Sequence, residues 1–275
     1  MVNDIRQKHP RIGTRKLYQL IKPSFEELSV KVGRDRLFTL LSENNMLIRK
    51  RKRSVRTTYS NHIFRKYPNL VKDFEPKAPN QLWVSDITYI KTKSGFVYLY
   101  LITDAYSRKV VAHTVSDNLE AVNTIKCLHQ ALQPLSKPIP GLIHHSDRGI
   151  QYCTHEYIHL LQEYDARISM TENGDPKENA IAERVNGILK EEYLNHQTFI
   201  NLIDTRLRVA EAVELYNTLR PHLSVDMMTP VQAHNQQGKI KRLWKSNYRV
   251  NFNEESFTSS KLIEDFEQVK NNVNL

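Results

Sequence analysis

The sequence predicts an α/β protein: a mixed β-sheet with helices on its faces, preceded by a small all-α domain of helix-turn-helix type. Three observations carry that expectation. From Asn80 onward, runs rich in Val, Ile, Tyr and Thr give way to alternating helical and strand-like segments. Near the N-terminus, leucines recur at helical spacing. Positive charge is concentrated in the same region: residues 1–75 hold 18 Lys/Arg against 7 Asp/Glu, a net of +11, while residues 76–275 hold 22 against 23, a net of −1.

Taken in order, Leu17, Leu20 and Ile21 share one helical face, as do Leu37, Leu40 and Leu41. Two short amphipathic helices are expected within residues 1–48, with Gly33 ending their connection. Arg34 and Arg36 open the second helix, where a helix-turn-helix module would present its N-terminal end to DNA. Residues 49–79 follow as a basic linker broken by Pro68, Pro76 and Pro79. Its densest part is Arg49, Lys50, Arg51, Lys52 and Arg53, which favours contact with a polyanion because each pairing with phosphate releases counterions. Such a run is also compatible with a merely solvated surface. Strands are expected at 81–90, 96–105 and 109–116, with turns at Lys93-Ser94-Gly95 and Ser107-Arg108. A helix near 119–135, a strand at 141–145, a helix at 154–165 and a strand at 167–171 complete the pattern. Three antiparallel strands and then alternating elements are the order of a ribonuclease H-like domain, placed at residues 80–235. Residues 236–275 form a C-terminal tail with basic residues near Trp244 and Tyr248 and no assigned role.

The next helix has the most explicit start signal. Asp175-Pro176-Lys177-Glu178 reads as an N-cap carboxylate, a proline at the first helical position and a capping-box-like glutamate. Asn179, Glu183, Asn186 and Lys190 then fall on or near one face, and Ile181, Val185 and Ile188 on the opposite one. Glu183 can face a site while its helix packs on the core.

Composition narrows the function classes. At 40% hydrophobic content the 275 residues can bury a core. No apolar run approaches the roughly 20 residues of a membrane span, and the N-terminus lacks a secretory apolar block, so a cytoplasmic location is expected. Cys127 and Cys153 are too few for a disulfide framework.

Three acids carry the chemistry: Asp86 within an apolar strand, Asp147 in His145-Ser146-Asp147-Arg148-Gly149, and Glu183, with thirty-five residues between the second and third. An Asp in an apolar strand is costly unless paired or bound to metal. Asp147 by itself could start a turn, and Glu183 by itself could be a surface helix residue. Together they suit two divalent ions ~3.5–4 Å apart acting on a phosphodiester. Hard carboxylate oxygens select Mg²⁺ or Mn²⁺, two per active site.

At these residues the chain resembles a known family. Trp83-xx-Asp86-Ile87-Thr88-Tyr89, His145-Ser146-Asp147-Arg148-Gly149-x-Gln151-Tyr152 and Asn179-Ala180-x-Ala182-Glu183-x6-Lys190 are similar to the DDE transposases of the insertion sequence 3 family, whose core is retroviral-integrase-like. Tyr216-Asn217-xx-Arg220-Pro221-His222 and Thr229-Pro230 extend the resemblance, which covers about residues 5–235. It implies that Asp86, Asp147 and Glu183 are catalytic metal ligands and that Lys190 contacts transposon-end DNA. It further implies nicking of an element end and strand transfer by the freed 3′-hydroxyl, on a copy-out, paste-in route. Implied partners are terminal repeats and target DNA, further copies of the chain on DNA, and the product of an upstream reading frame, at the bacterial nucleoid.

Three other readings stand beside this one: an inactive or regulatory DNA-binding derivative, a ribonuclease H-like nuclease that hydrolyses without joining, and a zinc protein using His144, His145, Cys153 and His155. The helix-turn-helix and basic linker favour an enzyme of DNA ends over the nuclease. The spacing His144-x8-Cys153-x-His155 fits no common structural zinc pattern.

Overall fold

Three helices begin the chain, one more than the leucine spacing marks: α1 (Val2–Lys8), α2 (Thr14–Glu27) and α3 (Arg34–Glu43). The computed structural model describes residues 1–48, 64–172 and 176–243. Gly13 and Gly33, in extended conformation, precede α2 and α3 as their N-caps. Leu17 and Ile21 of α2 pack on Leu37 and Leu41 of α3 over the buried Ile12. Each helix has one apolar stripe, and pairing hides both. Helix α1 adds Val2 and Ile5, both partly buried, too few to register as a periodic pattern. Helix α2 runs on through Pro23 for well over a turn past the expected segment, although proline supplies no amide hydrogen there.

The sheet has the order β3-β2-β1-β4-β5, formed by β1 (Leu82–Thr92), β2 (Gly95–Asp104), β3 (Val110–Ser116), β4 (Ile143–Ser146) and β5 (Arg167–Met170). Strands β1, β2 and β3 are antiparallel neighbours, and β4 and β5 join parallel to β1. Gly95, at φ +126°, follows the tight Lys93-Ser94 connection, a backbone conformation that side chains oppose. All five strands lie within two residues of their expected positions, and β1 is central.

Alternation along β2 shows how the sheet is covered. Tyr100 and Ile102 join Trp83, Leu128, Leu132, Tyr157 and Leu161 on the face covered by α4 (Ala121–Leu132) and α5 (His155–Glu163). Leu99 and Leu101 join Val185, Leu189, Val213 and Tyr216 on the other. That face is covered by α6 (Ala180–Ile188), a π-helical segment Leu189–Leu194, and α7 (Leu202–Thr218). Full burial of such a side chain stabilises by about 1.5–3 kcal/mol. Helix α8 (Pro230–His234) starts with a reciprocal capping box between Thr229 and Gln232.

A polar joint ties the N-terminal helices to the sheet domain. His9 Nδ1 and the Tyr193 hydroxyl are 2.8 Å apart, and Lys16 Nζ donates to Glu192 Oε1 at 3.2 Å. Glu192 also accepts two bonds from the buried Arg220, at 2.8 and 2.7 Å. The expected linker is partly packed structure: Leu70 and Val71 lie against Leu82, Ala105 and Ile143, and the Leu70 amide donates to Ser169 Oγ at 2.9 Å. No described helix is long and apolar enough to cross a membrane.

Candidate active site

Asp86 lies at the middle of the central strand, on the α6 side. Val84, two residues before it, packs with Ala182 of α6. One Asp86 oxygen accepts from Asn186 Nδ2 at 2.7 Å and the other from the Ile87 amide at 2.9 Å. Asn179 ties the start of α6 to the same strand, donating to the Ser85 carbonyl at 2.9 Å. The polar face of this helix is therefore anchored on β1 by two buried side chains, Asn179 and Asn186.

Asp147 comes one residue after β4. The parallel register pairs Val84 with His145, so continuing it by two residues brings Asp147 level with Asp86. Its Oδ1 accepts from the Gly149 amide at 2.9 Å. A Cβ on Gly149 would stand 3.0 Å from that oxygen and 3.2 Å from Gln151 Oε1. Glycine at 149 lets the loop close on the carboxylate. Glu183 is exposed on α6, less than one turn before Asn186.

Electrostatics bring the three acids together. Burial first, then the charge of Asp147 and more weakly that of Glu183, together push the Asp86 carboxyl up to about 7 against the opposing hydrogen bonds. Among the described residues, its two hydrogen-bond donors are an amide side chain and a backbone N–H, both neutral. No three His, Cys, Asp or Glu side chains among the described residues converge on one point, so the acids are neighbours around Asp86 and not a closed cage.

Lys190 sits on the same side of β1. Its Nζ donates to Thr88 Oγ1 at 3.1 Å and to the Tyr89 carbonyl at 3.0 Å, 4.5 Å from the centre of the Tyr89 ring. Burial lowers its pKa, while Tyr89 and Asp86 act in the opposite direction. Arg34 and Arg36 are exposed at the start of α3, far along the chain from these acids, and Arg34 Nε donates to Asp35 Oδ1 at 2.8 Å. Arg49, Lys50, Arg51, Lys52 and Arg53 lie outside the described residues, as does Asp175, the expected N-cap.

One expectation is refined and one alternative falls. The helical segment begins at Pro176 as a 3-10 turn to Asn179, and regular α6 follows from Ala180; Glu178 Oε2 accepts from the Glu172 amide at 2.7 Å, fastening the segment after β5 to the turn. The zinc reading fails. Buried His144 Nε2 is 2.8 Å from Ser85 Oγ and 3.0 Å from the Tyr157 hydroxyl, and burial pulls its pKa down to about 3. His145 is held between Ser169 Oγ and the Glu178 carbonyl, Cys153 packs on Met170, and His155 stacks on His159 at the exposed surface. Their environments send these four side chains to separate tasks.

The sequence reading placed Asn179 and Asn186 beside Glu183 but did not identify them as the hydrogen-bonding supports of β1. It missed the acid of the joint, Glu192, altogether, although its partner Arg220 stands in a motif that was visible. That motif is structural: Tyr216 donates to the Arg108 carbonyl at 2.8 Å, Asn217 exchanges two bonds with the Val110 backbone, and Arg220 clamps Glu192.

Comparison with known proteins supplies the family. The integrase core domain matches residues 76–176 and, in a second description of that domain, residues 164–230. A 31 kDa protein of insertion element IS600 from Shigella sonnei, itself uncharacterized, is 36% identical over 227 residues, which cover 81% of this chain and 83% of the relative. The transposase of IS629 from the same organism is 31% identical over 215 residues, covering 78% and 70%. The chain belongs to the insertion-sequence transposases of the DDE class. The transposase of IS904 from Lactococcus lactis is a further relative, 36% identical over 165 residues, covering 59% of this transposase and 65% of that protein. A chain of the simian T-cell lymphotropic virus intasome, solved in complex with a PP2A regulatory subunit, superposes with a TM-score of 0.51 at 18% identity. It covers 90% of this transposase and 80% of its own length, and the likeness extends to the fold.

Proposed function

We propose that this transposase nicks the ends of its own element and joins the freed 3′-hydroxyl to a second phosphodiester, with Asp86, Asp147 and Glu183 as the ligands of two Mg²⁺ or Mn²⁺ ions. The observation that carries this reading is Asp86: a carboxyl pushed up to about 7, with two further acids acting on it and neutral hydrogen-bond donors. Such a set of carboxylates suits hard divalent cations, because all its ligand atoms are oxygens. Bound there, such ions activate an oxygen nucleophile and stabilise the leaving oxygen.

The chain's own residues position that chemistry. Asn186 and the Ile87 amide fix the rotation of the Asp86 carboxylate, and the Gly149 amide fixes Asp147. Both are held before DNA arrives, which reduces the reorganisation needed during reaction. Lys190, on the same side of β1, is the basic group that meets a phosphate of the element end. Arg34 and Arg36 on α3, with the basic run Arg49, Lys50, Arg51, Lys52 and Arg53, bind flanking duplex in a helical domain of residues 1–48 and a linker of 49–79. The sheet domain of residues 80–235 carries catalysis. Assembly of further copies on the paired ends, and fusion to an upstream-frame product, belong to the same reading.

The test is a nicking and joining assay with the element's own end and Mg²⁺ or Mn²⁺. Asp86→Asn, Asp147→Asn and Glu183→Gln are expected to lose both reactions while still shifting labelled end DNA in a gel. Joining retained by any one of them would remove that residue from the ligand set.

A further inference from the structure

Away from the acids, the turn between β2 and β3 closes over a cavity of about 80 Å³ whose ten lining residues include Lys77, Arg108, Lys239, Arg242, Ser224 and Glu75. Four of the ten are cationic, against one acid. The turn is tied to β1 by the Ala105 amide, which donates to the Leu82 carbonyl at 2.8 Å, four residues along the strand from Asp86. At ~3.3 Å per strand residue that is about 13 Å from the acids.

Arg108 is the unusual member. It is 9% exposed, with its backbone in the left-handed region at φ +68°, held there by the Tyr216 hydroxyl on its carbonyl and by its own amide on the Asp104 carbonyl. A guanidinium carries five N–H donors. Within the described residues one of them, on Nη1, is used, on the Ala105 carbonyl. The nearby Asp104 carboxylate is committed elsewhere, accepting from the Asn80 and Ser107 amides and from Ser107 Oγ. Burial first, and then the charge of Arg242, lowers the Arg108 pKa to about 10 against the influence of Tyr216 and Asp104. Glu75, the acid in the lining, accepts from Arg242 at 2.8 Å. The wall is braced by the Gly238 amide on the Lys77 carbonyl at 2.7 Å and by the Tyr106 hydroxyl on the Gly238 carbonyl at 3.0 Å.

We propose that this cavity is a phosphate site, with the Arg108 guanidinium at its floor and Lys77, Lys239 and Arg242 around its mouth. A buried guanidinium with unused N–H donors matches a tetrahedral oxyanion better than a lone ammonium does, because its planar fork can bind two oxygens together. The volume holds several water-sized spheres, enough for one such anion. The phosphate belongs either to a DNA strand passing the β2–β3 turn or to a free phosphate ion, and the DNA source rests on the transposase reading above.

The experiment uses the full chain and inorganic phosphate as probe, followed by ³¹P line broadening, for wild type, Arg108→Gln and the double variant Lys239→Gln/Arg242→Gln. The double variant changes two exposed side chains and so keeps the test valid where Arg108→Gln fails to fold. Loss of phosphate affinity by at least about tenfold in the double variant is expected, as is full retention in Asp86→Asn, which separates this site from the catalytic acids. Affinity for end DNA is then measured against salt. A log–log slope shallower by about one in the double variant assigns the site to a DNA phosphate, and an unchanged slope with lost phosphate binding assigns it to free phosphate. Equal phosphate binding by wild type and double variant would overturn the proposal.

Discussion

Asp86 and Glu192 are both partly buried acids on the α6 side of the sheet, and they are treated in opposite ways. Asp86 has neutral donors and two acidic neighbours, and its carboxyl rises to about 7. Glu192 is partly buried too, yet Arg220 and Lys16 outweigh desolvation and hold it at about 2. Burial raises both, so the difference lies in the partners. Glu192 carries its cations within the chain and closes a structural joint. Asp86 has no cationic hydrogen-bond donor among the described residues, Lys190 acting on it through charge alone, and is suited to take its cation from solution.

Breaking the catalytic side should have the largest effect. Asp86→Asn is expected to lower nicking and joining by at least about a hundredfold, because it removes a ligand oxygen outright where loss of a supporting contact alone costs 10–100-fold. Its stability should move the other way. A folded-state pKa near 7 against 3.8 means the charged form is disfavoured in the native state, so a cost absent below pH 3.8 accumulates as pH rises towards 7. Without divalent ions, thermal melts at pH 8 should place Asp86→Asn at or above wild type, and adding Mg²⁺ should raise the melting temperature of wild type more than that of the variant. A lower melting temperature for the metal-free variant would contradict the contrast.

Breaking the structural side should cost stability first. Glu192→Gln leaves Arg220 buried and without its carboxylate, and a loss of about 3–5 kcal/mol is expected in denaturant unfolding. Acid sharpens the same point. Glu192, depressed to about 2, contributes stability that is full above pH 4.5 and lost as pH falls towards 2, while His9, lowered by burial to about 4, opposes protonation from pH 6.5 downward. His9 should therefore lower wild-type stability from about pH 6.5 and Glu192 from about 4.5, against the relief at Asp86 between 7 and 3.8, and in Glu192→Gln the loss below 4.5 should shrink. The smallest change expected is that of Lys16→Met. Arg220 still pairs with Glu192, and burial already brings Lys16 down to about 8, so unfolding should shift by no more than about 1 kcal/mol. A loss as large as that of Glu192→Gln would show that Lys16 and not Arg220 carries the joint.

Much of this contrast was legible in the sequence on one side and little on the other. The strands were, because alternating Val, Ile, Tyr and Thr between turn residues can hardly be satisfied any other way, and the acid in the midst of β1 was conspicuous for its cost. The support of Asp86 by Asn186 was half legible, since spacing put Asn186 on the face of Glu183 but could not bring that face against β1. Helix α1 was hidden because Val2 and Ile5 make too short a stripe. The joint could not be read at all: His9, Lys16, Glu192, Tyr193 and Arg220 meet across more than 170 residues, and no local period encodes a contact of that range. The 3-10 geometry of residues 176–179 was hidden for a related reason, since Glu178 also bonds to the Glu172 amide beyond β5.

The central claim is that the carboxylates around Asp86 take up divalent ions for work on DNA. Counting Mn²⁺ by electron paramagnetic resonance in the complex with end DNA, for wild type and Asp86→Asn, tests it most directly. Two ions per active site in wild type and fewer in the variant are predicted. The same number of bound ions in both proteins would contradict the account.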